Sequence, residues 1–245
     1  MTLRYKVFLH SYLGFNSNST LFYGERDAIL IDASQLLSDT HRMVAEIIPM
    51  RKNLTHIYVS HFHPDHHFGL AVLTHAFPHA KVVALPSVVK DVVFTSSDKV
   101  DMWAIDRFGP DIPSKTVIPM PMHEPRLELE GEEILFYDDI EGDSIHNSIA
   151  WIPSLRVVCA TDAGREGRSA QRAGARTVCV AAGLAGTGQV GAAGRGARRR
   201  REGGQLLAQV GAVAARAFDR RRGSADQGFE LFAAGGAGVF EDRHE

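Results

Sequence analysis

Leu54-Thr55-His56-Ile57-Tyr58-Val59-Ser60-His61-Phe62-His63-Pro64-Asp65-His66-His67-Phe68-Gly69 is the stretch that decides how this chain folds. Its first part, His56 to Val59, is β-branched and aromatic and predicts a short buried strand ending at Ser60. Four candidate ligands follow at once: His61, His63, Asp65 and His66. Imidazole suits zinc, iron and other borderline divalent ions, and a carboxylate adds a harder donor. Alternation along an extended turn sends His61 and His63 to one side, where both can grip one ion. Pro64 redirects the chain, so Asp65 and His66 can face a second ion beside the first. A lone histidine in such a turn would be an ordinary polar loop residue; His-x-His-x-Asp-His closing a strand is a metal-binding pattern.

The run resembles the signature of the metallo-β-lactamase fold superfamily, a large group of mostly metal-dependent hydrolases, and the resemblance covers residues 1–162. It implies an α/β (α+β) fold, the four-layer αββα sandwich, with metals at one edge between the two sheets. It also implies a third ligand histidine in a small-residue turn before a strand, and a bridging aspartate closing the following strand. His146, in His146-Asn147-Ser148, is similar to the first. Asp162, after the apolar run Arg156 to Thr161, is similar to the second, with Thr161 standing where the family usually has glycine. On this comparison His61, His63 and His146 hold one ion, Asp65 and His66 hold another, and Asp162 bridges them. The family pattern asks for one more histidine near the end of a late strand. His244 is the only histidine after His146 and has no apolar strand before it, so the second site is short of its last donor.

The implied cofactor is zinc, one or two ions, with iron or manganese as alternatives. Two cations sharing Asp162 would acidify a water enough for attack near neutral pH and polarise the carbonyl under attack. Asp65 would bind the second ion or orient that water and pass a proton to the leaving group, which makes it the candidate catalytic residue. The expected function is hydrolysis of a small ester, lactone, thioester or amide. No Gly-x-Ser-x-Gly elbow offers a serine route instead. Two other readings stand beside this one: an iron-dependent oxidoreductase using the same ligands, and an inactive chain that has lost half of its sandwich.

Composition narrows the setting. A chain of 245 residues with 44% hydrophobic content can bury a good-sized core. Its net charge of −2 points to no particular partner, neither nucleic acid nor membrane. Cys159 and Cys179 make no disulfide framework, the opening residues carry no export signal, and no apolar run approaches a membrane span. The expected compartment is the cytoplasm and the expected partner a small-molecule substrate.

Those averages hide a break at Asp162. Of 23 glycines, 17 lie after it, whereas all ten prolines lie at or before Pro153. Residues 163–245 contain no Lys, Asn, Ile, Met, Tyr, Trp or Pro, and the β-branched strands expected of a second half-sandwich are missing. The sequence divides into a core, 1–162, and a Gly/Ala/Arg-rich tail, 163–245. The tail reads either as the shifted frame of a GC-rich gene or as a genuine divergent segment. Gly186-Thr-Gly188-Gln-Val-Gly191 within it matches a dinucleotide fingerprint by glycine content alone, with no acidic residue at the required distance. Arg198 to Arg201 has no interleaved aromatics and reads as a solvated charge run, not a nucleic-acid surface.

Within the core, Tyr5 to His10 predicts an opening strand, and Leu21 to Tyr23 with Ala28 to Ile31 a hairpin across Gly24-Glu25-Arg26-Asp27. Phe15, Asn16 and Asn18 sit in a first loop that in the family often overhangs the site. Ser38 or Asp39 is the expected cap of a helix reaching about Met50. A helix over Phe68–Phe77, a strand over Lys81–Leu85, a helical stretch from Ser87 to about Phe94 and a separate segment near Asp101–Phe108 complete the middle. Leu127 to Tyr137 predicts a hairpin around Gly131, followed by strands over Ile149–Ile152 and Leu155–Ala160.

Overall fold

Alternating and β-branched stretches open the chain as β1 (Arg4–Leu9), β2 (Asn18–Tyr23) and β3 (Asp27–Ile31), antiparallel neighbours in a first sheet. The computed structural model describes residues 2–103, 107–140, 144–161 and 179–181. After β3 the pairing changes. β4 (Asn53–Val59), β5 (Lys81–Ala84) and the short β6 (Met120–Pro121) add in parallel, giving the order β1-β2-β3-β4-β5-β6. Parallel neighbours need crossovers, and helices fill them. α1 (Leu37–Ile47) joins β3 to β4, α2 (Pro64–His67) and α3 (Leu70–Ala76) join β4 to β5, and α4 (Pro86–Trp103) follows β5.

The second sheet is antiparallel throughout, in the order β11-β10-β9-β8-β7. It comprises β7 (Arg126–Leu129), β8 (Glu132–Ile140), β9 (Asn147–Ile152), β10 (Val157–Cys159) and β11 (Cys179–Ala181). The β7–β8 turn is Glu130-Gly131, both at positive φ (51° and 88°), where glycine is the undemanding choice.

One apolar core joins the sheets: Ile29, Ile57 and Tyr58 from the first meet Ile134, Phe136, Ala150 and Ile152 from the second. The Tyr58 ring stacks on Phe136 with centroids 3.8 Å apart. Because strand side chains alternate, Ile149, Trp151 and Val158 point the other way and form a separate cluster with Ile140 and Ala160. No helical residue among those described joins that second cluster. On the first sheet's side, Met43, Val44 and Ile47 of α1 and Leu70, Val72 and Leu73 of α3 belong to the main core.

Tertiary contacts move several helix boundaries away from their sequence expectations. Leu36 holds the cap position of α1 with no side-chain capping bond, because Ser38 and Asp39 are engaged elsewhere. Ser38 meets Asp111 through its nitrogen (2.8 Å) and hydroxyl (2.7 Å), while Asp39 accepts from the nitrogen (3.1 Å) and hydroxyl (2.7 Å) of Ser11. The helix expected over Phe68–Phe77 is α3, preceded by the short α2 within the histidine turn, with Gly69 between them donating out to Ser34 O at 2.6 Å. Conversely, the expected break after Phe94 is absent, and α4 is one helix of 18 residues. Thr95 opens the polar stretch Thr95–Lys99 and bonds back to Asp91 O at 2.8 Å, which keeps its hydroxyl within the helix.

Of residues 163–245, only 179–181 are described, with Cys179 in register opposite Cys159. Asp162, Gly186–Gly191, Arg198–Arg201 and His244 all lie outside the described residues. No described helix is long and apolar enough to cross a membrane.

Candidate metal centre

β3 and β4 run in parallel, so their carboxyl ends lie side by side and the residues leaving them share one edge of the sandwich. Asp32 leaves β3; Ser60 and His61 leave β4. Asp32 is fully buried at φ 62°, a left-handed conformation that aspartate tolerates better than most residues. Three bonds hold its carboxylate there. Oδ1 accepts from Ser60 N at 2.7 Å, and Oδ2 accepts from Ser60 Oγ and from His66 Nδ1, each at 2.7 Å.

Ser60 has a single hydroxyl proton and gives it to Asp32. The 3.0 Å contact between Ser60 Oγ and His61 Nδ1 therefore has the ring donating. One carboxylate thus sets two tautomers, directly at His66 and through Ser60 at His61, and leaves the Nε2 lone pair on each neutral ring. His61 Nε2 lies 3.1 Å from His63 Nδ1, and His66 Nε2 lies 3.4 Å from Asp65 Oδ2. Two donors on one ion at about 2.0–2.1 Å each lie no more than about 4.2 Å apart, so each pair has the bite of a shared cation. The two pairs adjoin, with the His61 and His66 ring centroids 4.1 Å apart. Donor chemistry and spacing fit a divalent metal pair by pair. Among the described residues, no three His, Cys, Asp or Glu side chains gather as an ion-holding group.

His146 comes from the other sheet, in the turn entering β9. Ser148 N and Ser148 Oγ both reach Ser60 O, at 3.1 and 2.6 Å, and Tyr58 OH lies 2.7 Å from Ser148 Oγ. The residue two after His146 is thereby bonded to the residue just before His61. His146 Nδ1 lies 2.7 Å from Asp91 Oδ2 in α4, and that hydrogen bond pushes the imidazole pKa above its ordinary value. With Nδ1–H committed to Asp91, Nε2 is the ligand atom His146 has to offer.

Two further histidines lie close by in structural roles. His67 donates Nδ1–H to His63 O at 2.9 Å, and burial pushes its pKa down to about 3. His10 meets Ser19 Oγ at 2.8 Å, with burial pushing its pKa to about 4. In the first loop, Ser17 Oγ reaches Asp65 O at 3.4 Å, Phe15 packs edge-on against Phe108, and Asn18 is a buried strand residue.

The predicted ligands therefore divide into three groups. His61, His63, Asp65 and His66 come together, His146 is tied to the same edge through Ser148, and Asp162 is outside the described residues. Sequence reading passed over Asp32, although an aspartate closing the apolar run Ala28–Ile31 is the same signal that singled out Asp162. It also passed over Asp91, for which a mid-helix position offers no local signal at all.

A family model described as the metallo-beta-lactamase superfamily matches residues 12–136. The match contains the His61–His66 motif and stops short of His146. Among solved structures, the chain is similar to the BLEG-1 B3 metallo-beta-lactamase at 14% identity and TM-score 0.51, covering 64% of this chain and 71% of that one. It is also similar to a metallo-beta-lactamase from Pontibacter korlensis at 12% identity and TM-score 0.45, covering 59% of each chain. The first likeness, at 14% identity, speaks for the fold alone. No curated protein matches the chain.

Proposed function

The chain belongs to the metallo-β-lactamase superfamily, and from that premise we propose a zinc-dependent hydrolase of a small ester, lactone, thioester or amide. Membership supports a metal-dependent hydrolase in general; zinc and the substrate class are the finer reading. The observation that carries it is the Asp32 relay, which turns the Nε2 atoms of His61 and His66 toward neighbouring donors at 3.1 and 3.4 Å. On this reading His61, His63 and His146 would hold one ion, and Asp65, His66 and Asp162 would be the further donors. Bound divalent metal supplies two things here: a lower pKa for the attacking water and polarisation of the acyl oxygen.

The rest falls to the chain. Asp32 and Asp91 keep Nδ1 protonated on three rings, so each presents a lone pair instead of a competing N–H. Burial of His61 and His66 keeps bulk water from these bonds. Asp65, buried beside His66 Nε2, would take the proton of the attacking water and deliver it to the leaving group. The cytoplasm is the proposed setting.

The deciding experiment is metal analysis of the purified chain combined with a panel of lactones, thioesters and β-lactams. One or two zinc ions per chain, with hydrolysis abolished by His63→Ala, is the expected result. Iron with oxygen consumption, or zinc without hydrolysis of any substrate class, overturns it.

A further inference from the structure

The candidate ligands come from two sheets, and α4 touches both ligand-bearing segments. Near its start, Ser87 Oγ bonds the carboxylate of Asp138 in β8, in the second sheet. One turn further on, Asp91 holds the His146 ring at 2.7 Å. Eight residues beyond that, Lys99 Nζ lies 3.4 Å from Phe62 O and 3.8 Å from the centroid of the Phe62 ring. Phe62 stands between His61 and His63. Lys99 therefore grips the first-sheet ligand turn through a carbonyl and a cation–π contact together.

We propose that α4 is a strut that sets the spacing and orientation of the two ligand segments, with Asp91 and Lys99 as positioning residues acting through His146 and Phe62. The inference rests on the metal-dependent reading above and adds a part that the ligand motif does not contain. A continuous helix suits the task because its length is fixed by its hydrogen-bond ladder. Eight residues span about 12 Å and just over two turns, which brings both contacts to one side. The direct suture of Ser148 N to Ser60 O fixes backbone to backbone just before His61. It leaves the His146 ring free to rotate about its own side-chain bonds, and Asp91 removes that freedom. Lys99 does the corresponding work on the turn between the two other imidazoles.

The test uses the full 245-residue chain and zinc ion alone as probe. Zinc affinity is read by competition with a chromophoric chelator, and metal-free thermal unfolding is followed in parallel. Asp91→Ala and Lys99→Met are each expected to weaken zinc binding by a factor of about 10 to 100. Asp91→Asn, which keeps an acceptor, and Lys99→Arg, which keeps the cation over the ring, should recover most of that loss. The double variant should lose little more than the worse single one, since either change disables the same strut. If Asp91→Ala does not fold, Asp91→Leu keeps the branch at Cγ and removes the acceptor. Zinc binding equal to that of the unaltered chain in the single variants overturns the inference. So do losses that multiply in the double variant, because they would mark two unrelated local contacts. No zinc binding by the unaltered chain would overturn the metal reading and this inference with it, a result distinct from either of those.

Discussion

Ser148 bonds one atom of Ser60 twice: its backbone nitrogen reaches Ser60 O at 3.1 Å and its hydroxyl reaches the same oxygen at 2.6 Å. Ser148 belongs to the second sheet and Ser60 follows β4 of the first, so this contact joins the two sheets beside His61.

Ser148→Ala keeps the backbone bond but leaves the buried Tyr58 hydroxyl without its partner. An unsatisfied buried polar group costs about 1–3 kcal/mol. Urea unfolding should show a loss in that range for Ser148→Ala, and less than the additive loss once Tyr58→Phe is combined with it. Strict additivity would mean that the two hydroxyls do not interact.

Asp32 is expected to govern metal binding without touching the metal. Asp32→Ala removes the acceptor that fixes both His61 and His66, and zinc affinity should fall by about 10 to 100-fold. Asp32→Asn keeps one acceptor oxygen and should fall less. Calorimetric zinc titration of the two variants checks the order; equal affinities would remove Asp32 from the site.

Glu130 makes an acid-dependent link between the sheets. Its carboxylate accepts from the backbone nitrogens of Asp27 (2.8 Å), Arg26 (2.6 Å) and Glu25 (3.0 Å), and these bonds hold its pKa down to about 2 from the ordinary 4.5. A carboxylate depressed on folding stabilises the fold above its unfolded pKa, and that contribution disappears as pH falls through the folded value. The stability gap between the unaltered chain and Glu130→Gln should therefore be full at neutral pH and shrink between pH 4.5 and about 2. Chemical unfolding at a series of pH values measures it, and a gap constant across that range would refute the link.

Gly69 is required by packing, since its φ of −62° is open to any residue. A Cβ there would lie 2.2 Å from Thr40 Oγ1 and 2.9 Å from Ser34 O, and Thr40 Oγ1 is held in place by Leu36 O at 3.0 Å. Gly69→Ala should cost about 1–3 kcal/mol in thermal unfolding, the usual penalty for overpacking. Adding Thr40→Ala should return part of it; no recovery would point to the Ser34 carbonyl as the obstacle.

Strands were legible where burial on one face imposed alternation, as in the hairpin around Gly131, where Ile134 and Phe136 are buried between less buried neighbours. Helix ends were less so. Asp39 looks like a cap from its neighbours, yet its carboxylate is taken by Ser11, 28 residues away, and no local pattern records that competition. The uninterrupted length of α4 was hidden for a related reason: its polar stretch reads as a break until Asp91 and Lys99 are seen to be engaged by the site.

By itself the sequence determined that His61, His63, Asp65 and His66 share one turn at the end of a strand, because donors so close along the chain have few ways to point apart. Only the tertiary structure decided which nitrogen His61, His66 and His146 leave open and that the strand entered just after His146 is tied to Ser60. Those choices are made by Asp32, Asp91 and Ser148, whose partners lie 34, 55 and 88 residues away along the chain. Hydrogen bonds over such separations follow from how parallel strand ends and a crossover helix meet in space, which no short stretch of sequence encodes.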